Sequence, residues 1–286
     1  MDIMAIQPFK VYDGGYKEGE IQLRIGNGGA GQTGLIGDLA NNFIKYQVQV
    51  EKSKPFKIAW YESDTTYSIQ YLDEEITDIG VTYNYHAEKV AVDNGIAKPE
   101  ITYAFRDHFL LIGPKDDPAK IENAGSVEQM FTRLYTQAQA TVNKPGAVRF
   151  LSRFDKSATN IQESDLWIRI GQVPWATSYT TWYHQYIAFP LEALTAAALL
   201  GEYTLTDFGT YLHLPHELRD KIKIFKKGSD DEKDPLLLPA HSLIGTKAKN
   251  MDMAEAFNKW LKNDGKSVVE AFRLPGEDVQ VYDRAP

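Results

Sequence analysis

A chain of 286 residues, 43% apolar and 24% charged, is long enough for a sizeable core and two lobes of ordinary domain size, and its composition is that of a globular protein. A formal charge of −8 with no extended basic stripe excludes a nucleic-acid partner, although a local anion site, set by nearby donors and dipoles, stays open. The lack of cysteine excludes disulfides, thiolate chemistry and cysteine metal centres, and the longest apolar stretch, around Leu194 to Leu200, is too short to insert across a bilayer.

The N-terminus, Met1 to Lys10, lacks the charged and apolar regions of a secretory signal. As written the chain is expected in the cytoplasm, or in the periplasm or outside the cell if a signal has been removed. Ile21 to Ile25 reads as a strand, and Gly26-Asn27-Gly28-Gly29-Ala30-Gly31-Gln32-Thr33-Gly34 follows it. An amphipathic helix is expected from near Thr33, with Leu35, Ile36, Leu39, Ala40, Phe43 and Ile44 on its apolar face. A glycine-rich loop at a helix N-terminus leaves backbone N–H groups uncovered and adds the positive end of the helix dipole, which suits an anionic group. Asn27, Gly28, Gly29, Gln32 and Thr33 are therefore candidate ligand contacts. Gly26, Gly28 and Gly31 also satisfy G-x-G-x-x-G, with Glu51 further on, so a dinucleotide-dependent oxidoreductase stays open.

A second strand, Phe56 to Trp60, ends in Tyr61-Glu62-Ser63-Asp64-Thr65-Thr66, and a third, Ile79 to Val81, is followed by Tyr83, Asn84 and Tyr85. Ser63, Thr65 and Tyr83 are expected at strand ends, where open α/β sheets bind ligands. The strand His108 to Ile112 runs into the hard break Gly113-Pro114. A lobe boundary is placed there, with residues 1–112 and 235–286 forming the first lobe and 113–234 the second. In that second lobe Ser126 and Gln129 suggest a capping box opening a helix with Arg133 on its exposed face. Val148 to Leu151 reads as a strand, and the polar run Ser152-Arg153-Phe154-Asp155-Lys156-Ser157-Ala158-Thr159 opens a helix carrying Ile161, Trp167 and Ile168. Ser152, Arg153, Ser157 and Thr159 are candidate contacts; Arg153 can clamp an oxyanion or carboxylate, or bridge to Asp155 and order the loop.

Trp175 to Ala188 is crowded with Tyr179, Trp182, Tyr183 and Tyr186, and His184 lies among them; Tyr183 and His184 join the candidates. Tyr203 to Leu205 and Ile222 to Phe225 read as further strands, with the candidate ligand contacts Thr206 and Phe208 beyond the first. The charged loop Gly228 to Asp234 precedes the return to the first lobe, where Met253, Phe257, Trp260 and Leu261 mark a helix. The tail after Pro275 is expected to pack late or fray. His213 and His216 lack a third ligand, so no metal site is assigned. No catalytic residue and no cofactor is assigned either.

Three blocks resemble the tungstate-binding, molybdate-related solute-binding proteins of ABC transporters. Arg106 to Ala119, RDHFLLIGPKDDPA, is similar to a crossover strand ending V-G-P-x-x-D-P-A; Ser152 to Thr159 is similar to the oxyanion loop S-R-x-D-x-S-G-T; and Tyr203 to Leu212 is similar to Y-T-L-T-D-R-x-T-Y-L. The resemblance implies an α/β fold of the type II periplasmic-binding-protein kind, with two lobes, a ligand cleft and two hinge crossings. It departs from this chain at the first loop, where the family carries a T-T-T-S run, at Ala158 for glycine, at Phe208 for an arginine, and at the aromatic segment, which is glycine-rich in the family. The expected function is reversible binding of a small anion, by family tungstate or molybdate. By the residues present, it is a larger organic ligand with one anionic group and an aromatic-facing body. A transporter partner is left open, as is an enzyme on a recruited binding-protein fold acting on a small aromatic or acidic molecule.

Overall fold

The computed structural model describes residues 6–176 and 180–286, so Tyr179 lies outside the described residues. Two compact units divide the chain: one holds the residues up to Asp107 together with Pro239–Pro286, the other His108–Leu238. The first unit begins with β1 (Lys10–Tyr12), β2 (Ile21–Asn27), α1 (Gly29–Thr33), α2 (Leu35–Gln49), β3 (Lys57–Glu62), α3 (Thr65–Asp73), β4 (Ile79–Thr82) and α4 (Tyr85–Asp93). The long strand β5 (Thr102–Pro114) then carries the chain into the second unit. There follow α5 (Val127–Thr141), β6 (Phe150–Ser152), α6 (Ala158–Arg169), β7 (Tyr183–Gln185), α7 (Pro190–Leu200), β8 (Tyr203–Asp207), α8 (Phe208–His213), α9 (His216–Arg219) and β9 (Ile222–Lys227). The return strand β10 (Leu237–Ile244) leads to α10 (Met251–Leu261), α11 (Gly265–Ala271) and β11 (Asp283–Arg284).

In the first unit the strand order is β1-β3-β2-β4-β10-β5, with β11 on β5. Strands β3, β2 and β4 are parallel, while β10 runs antiparallel to β4. The chain leaves β2 for a neighbour on one side, β3, and then for one on the other, β4. Such a reversal is a topological switch point, which opens a crevice at the carboxyl ends of the strands. The second unit repeats it: β6 lies between parallel β7 and β8, and β5 completes the order β7-β6-β8-β5 with β9 alongside. The two switch points lie at Asn27 and Ser152.

Helix α2 buries every apolar residue of its expected face, and Phe43 meets Phe257 of α10 edge-on at 5.1 Å. Burying such side chains contributes roughly 1.5–3 kcal/mol each. The glycine run, by contrast, is not an open loop leading to a helix near Thr33. Gly29–Thr33 is itself a helical turn, ended by Gly34 in the left-handed region at φ 103°, and α2 starts at Leu35. Helix α6 is also rotated from the expected phase. Ile161 and Ile168 are exposed, and the buried face is Thr159, Glu163, Leu166 and Trp167, where Trp167 stacks edge-on with Phe131 and Phe150. The tail does not fray: Val281 and Tyr282 are buried, and β11 pairs with β5 through Asp283 and Arg106. Arg133 is no bystander on its helix, because it donates to the carbonyls of Lys120 and Asn123 and ties down the preceding turn.

Candidate functional site

At the first switch point β2 ends in Asn27, which is fully buried. Its amide donates to Val81 O at 2.8 Å and to Tyr83 Oη at 3.4 Å, and its Oδ1 accepts the Gly31 N–H at 2.7 Å. Asn27 therefore stitches β2 to the end of β4 and caps the glycine turn, and its own polar atoms are spent on the fold. Gly28 approaches Ser63 closely, a Cβ there falling 2.8 Å from Ser63 O, whereas one on Gly29 would meet nothing within 4 Å. Gly29 thus leaves the backbone of the turn open. Gln32 donates to Glu62 at an exposed position, and Thr33 Oγ1 lies 2.7 Å from Tyr282 Oη. Ser63 shares a hydrogen bond with Ser68 at 2.8 Å. Thr65 is different: it is the first residue of α3, its hydroxyl is buried, and no hydrogen-bond partner among the described residues meets it.

The glycine fingerprint has a packing cause. A Cβ on Gly31 would lie 2.2 Å from the Trp60 indole, whose Nε1 donates to Asn27 O at 2.8 Å. Glu51, the acidic residue the dinucleotide reading needs at the end of the second strand, instead follows α2 and accepts from Tyr46. That reading loses its ribose contact. Sequence reasoning also missed Glu88 and His241. Glu88, fully buried, accepts from Thr82 Oγ1 at 2.8 Å and from the Asn84 N–H at 3.1 Å, and His241 Nδ1 is 2.8 Å from its other oxygen.

At the second switch point the turn from Ser152 to Ser157 is tightly held. Phe154 and Lys156 sit in the left-handed region at φ 46° and 62°, strained for residues with side chains. Asp155 takes the Arg153 guanidinium at 2.5 Å and the Ser157 N–H at 3.0 Å. Ser157 caps α6 by accepting from Asn160 N, and Thr159 is buried within reach of Arg153 Nη1 at 3.4 Å. Both roles weighed for Arg153 are thus compatible: one edge of its guanidinium orders the turn, while its Nε is buried with no acceptor among the described residues.

Ser152 is fully buried and its Oγ accepts the Phe154 N–H at 3.2 Å and the Asn160 amide at 3.3 Å. Tyr183 Oη lies 3.0 Å from Ser152 Oγ and 2.7 Å from Glu163 Oε1. Glu163, unnoticed in the sequence, is 2% exposed, and burial pushes its carboxyl up to about 7 against hydrogen bonds from Tyr183, Ser152, Asn160 and Trp167. The same burial, with the Glu163 charge beside it, raises the Tyr183 phenol. Trp182 and Tyr183 are core side chains, packed on Trp167 and Phe150, and Tyr186 is the exposed member of the group. Because successive strand residues face opposite sides, His184 points away from Tyr183. It lies 2.8 Å from Glu202, which also sits 3.4 Å from Arg149.

Thr206 is buried on β8, opposite Leu110. Asp207 caps α8 by accepting from Thr210 N at 2.7 Å, and Phe208 packs against the cluster of Leu110, Leu194 and Ile222. The ammonium of Lys227 sits 3.7 Å from the centre of the Phe208 ring, so β9 brings a cation to the place where the related motif carries its arginine. His213 bonds the carbonyl of Gly209 in its own helix.

Residues 22–264 match the PBP superfamily domain. The chain belongs to the PBP superfamily. A tungstate-binding protein TupA of Campylobacter jejuni is 26% identical over 243 residues, 82% of each chain. A Haloferax volcanii protein described as a candidate ABC transporter anion-binding protein is 27% identical over 206 residues, covering 71% of this chain; the chain spans 56% of that relative. A crystal structure of a protein described as a candidate periplasmic metal binding protein is 54% identical, with a TM-score of 0.88 over 97% of this chain and 99% of that one. The tungstate-binding protein TupA of Desulfovibrio alaskensis, 24% identical, has the same fold at a TM-score of 0.73 over 93% of this chain and 98% of its own. The fold is thus the type II α/β fold that the sequence resemblance implied. In this PBP superfamily member, the Gly113–Ala119 block at the end of β5 is itself structural. A Cβ on Gly113 would fall 2.2 Å from the Tyr203 ring, whose hydroxyl donates to Asp117 at 2.8 Å and accepts from Ala119 N at 3.0 Å.

Proposed function

We propose that this chain reversibly binds a small tetrahedral oxyanion, of the tungstate and molybdate class, as the solute-binding component of an ABC transporter and with no covalent chemistry. The observation that carries the reading is Arg153: a guanidinium with a buried, unpartnered Nε beside the N-terminus of a helix twelve residues long, at a switch point, next to the buried hydroxyls of Ser157 and Thr159. Oxyanions pair with such a fork through charge-assisted hydrogen bonds. At the switch point of the first unit, the open backbone at Gly29 and the Thr65 hydroxyl, which has no partner among the described residues, are further donors.

Names borne by the relatives, tungstate-binding and anion-binding, point the same way. A larger ligand with an aromatic body loses its support, because Trp182 and Tyr183 are spent on the core and Phe208 lies under Lys227. An enzyme reading loses its base, because His184 faces away from the Arg153 turn and is engaged by Glu202. A location outside the cytoplasm belongs to the same proposal, resting on the periplasmic description of the 54% identical protein.

A thermal-shift screen tests it, since a ligand that binds only the folded state adds about 2.7 kcal/mol at a hundred times Kd. Tungstate or molybdate should raise Tm well above phosphate, sulfate and simple organic acids. Divalent cations belong in the same screen, given the metal-binding description of the relative. A transition moved by cations alone, or by nothing, would sink the oxyanion reading.

A further inference from the structure

We propose that oxyanion capture at the Ser152–Thr159 turn is coupled to uptake of a proton by Glu163, relayed through the hydrogen-bond chain Glu163–Tyr183–Ser152. This rests on the oxyanion reading above and adds a regulation to the same site. Glu163 touches no ligand; it is a positioning residue acting through Tyr183.

The proton count on the chain makes the argument. A hydroxyl donates once and accepts twice. Tyr183 Oη lies within hydrogen-bond distance of both Glu163 Oε1, at 2.7 Å, and Ser152 Oγ, at 3.0 Å, yet has one proton to give. With Glu163 ionised, that proton goes to the carboxylate, the stronger acceptor. Ser152 then gives its own proton to Tyr183 and keeps both lone pairs for the Phe154 N–H and the Asn160 amide. The Phe154 N–H and the Asn160 amide are then both satisfied, and Arg153 Nε is the donor the turn keeps for a ligand.

With Glu163 neutral the chain reverses. The acid donates to Tyr183, Tyr183 donates to Ser152, the Ser152 proton turns to the carbonyl oxygen of the acid, and three donors now face two lone pairs on Ser152 Oγ. One of them, the Phe154 N–H or the Asn160 amide, is released, and both belong to the strained turn that carries Arg153, Phe154 being at φ 46°. A released N–H beside Arg153 is a donor that an oxyanion can take. Removal of the carboxylate charge from beneath the turn favours an anion as well, so both effects have one sign.

The surroundings leave Glu163 free to play this part. Tyr183 faces it from β7, Ser152 from β6, and Asn160 and Trp167 from its own helix, all of them uncharged. The Arg153–Asp155 pair lies in the turn above. From α5, Glu128 pairs with Arg169, and Arg133 is bound to carbonyls. The β8 residues Thr204 and Thr206 are neutral. Burial with no cation at hand places the carboxyl near neutrality, at about 7, where a modest pH change reverses the chain.

Isothermal titration of the full chain with molybdate between pH 6.5 and 8.5, in two buffers of different ionisation heat, tests the coupling. The wild-type protein should bind more than about tenfold tighter at the lower pH, with a buffer-dependent heat that reports proton uptake. Glu163→Gln, which is neutral and takes up no proton at any pH in the range, should bind with the same affinity across the range and with no buffer dependence. A ligand-free readout stands beside it: the Phe154 amide resonance should titrate near neutral pH in the wild-type protein and stay still in Glu163→Gln. Flat wild-type affinity with no proton uptake, a pH dependence retained in Glu163→Gln, or a Phe154 amide that does not titrate would overturn the relay. Failure of both proteins to bind molybdate or tungstate would instead remove the oxyanion reading beneath it, and the ligand-free titration tells the two failures apart.

Discussion

Arg153 gathers two demands on one side chain. Its Nη2 bridges to Asp155 at 2.5 Å and orders a turn with two residues in the left-handed region, while its Nε remains for a ligand. Arg153→Ala is expected to weaken molybdate or tungstate binding by about 1.5–3 kcal/mol, the range for hydrogen bonds to charged groups. Arg169→Ala is the matched control, because Arg169 makes exposed pairs with Asp165 and Glu128, which contribute little. Titration calorimetry reads both, and equal losses in the two variants would remove Arg153 from the site. Gly31 is a second single-residue case. A Cβ there would strike the Trp60 ring at 2.2 Å, so Gly31→Ala should lower the urea unfolding free energy by about 1–3 kcal/mol, the usual cost of overpacking. An unchanged midpoint would show that the glycine serves the ligand rather than the packing.

At the scale of the element, α6 carries an ionisable group into the core. The folded pKa of Glu163, about 7, stands above its ordinary value of 4.5, so the folded protein binds more protons than the unfolded one between these values. Stability is full below about 4.5, falls as pH rises toward 7, and levels off above it. A shift of this size corresponds to a loss on the order of 3 kcal/mol. Glu163→Gln should remove most of that slope and leave the protein more stable than wild type at pH 8, which urea titrations at pH 5 and 8 will decide. Hydropathy alone turns the wrong face of this helix inward, because Ile161 and Ile168 outweigh Thr159 and Glu163 on any hydropathy scale. The spacing Thr159, Glu163, Leu166, Trp167 fits a helical face equally well, and only its two polar members disguised it.

At the scale of the whole molecule, the chain runs out to a second unit along β5 and back along β10, and its C-terminal segment is built into the first unit. Tyr282 is fully buried, its ring packs on Phe105 at 5.2 Å and its hydroxyl meets Thr33 at 2.7 Å. Removing such an aromatic side chain costs about 3–5 kcal/mol. A chain ending at Pro275 should therefore unfold at a markedly lower urea concentration and be cut faster by protease. Full retention of stability would return the tail to the fraying end that composition alone suggests.

The sequence by itself determined the strands β2, β3, β4, β6, β8 and β9 to within a residue or two of their ends, the helices α2, α5, α6 and α10, and the resemblance that names the family. These depend on periodicity, on glycine and proline punctuation, and on short motifs, all of which are local. The tertiary structure alone decided which polar groups are spent on the fold. Asn27 caps and stitches, Trp182 and Tyr183 fill the core, and His184 faces Glu202, while Arg153 Nε and Thr65 Oγ1 keep a hydrogen-bonding atom to spare. It also brought Glu163 under the Ser152 turn and Lys227 over Phe208. Hydrogen-bond satisfaction is a property of partners distant in sequence, and no local pattern shows whether a donor already has one.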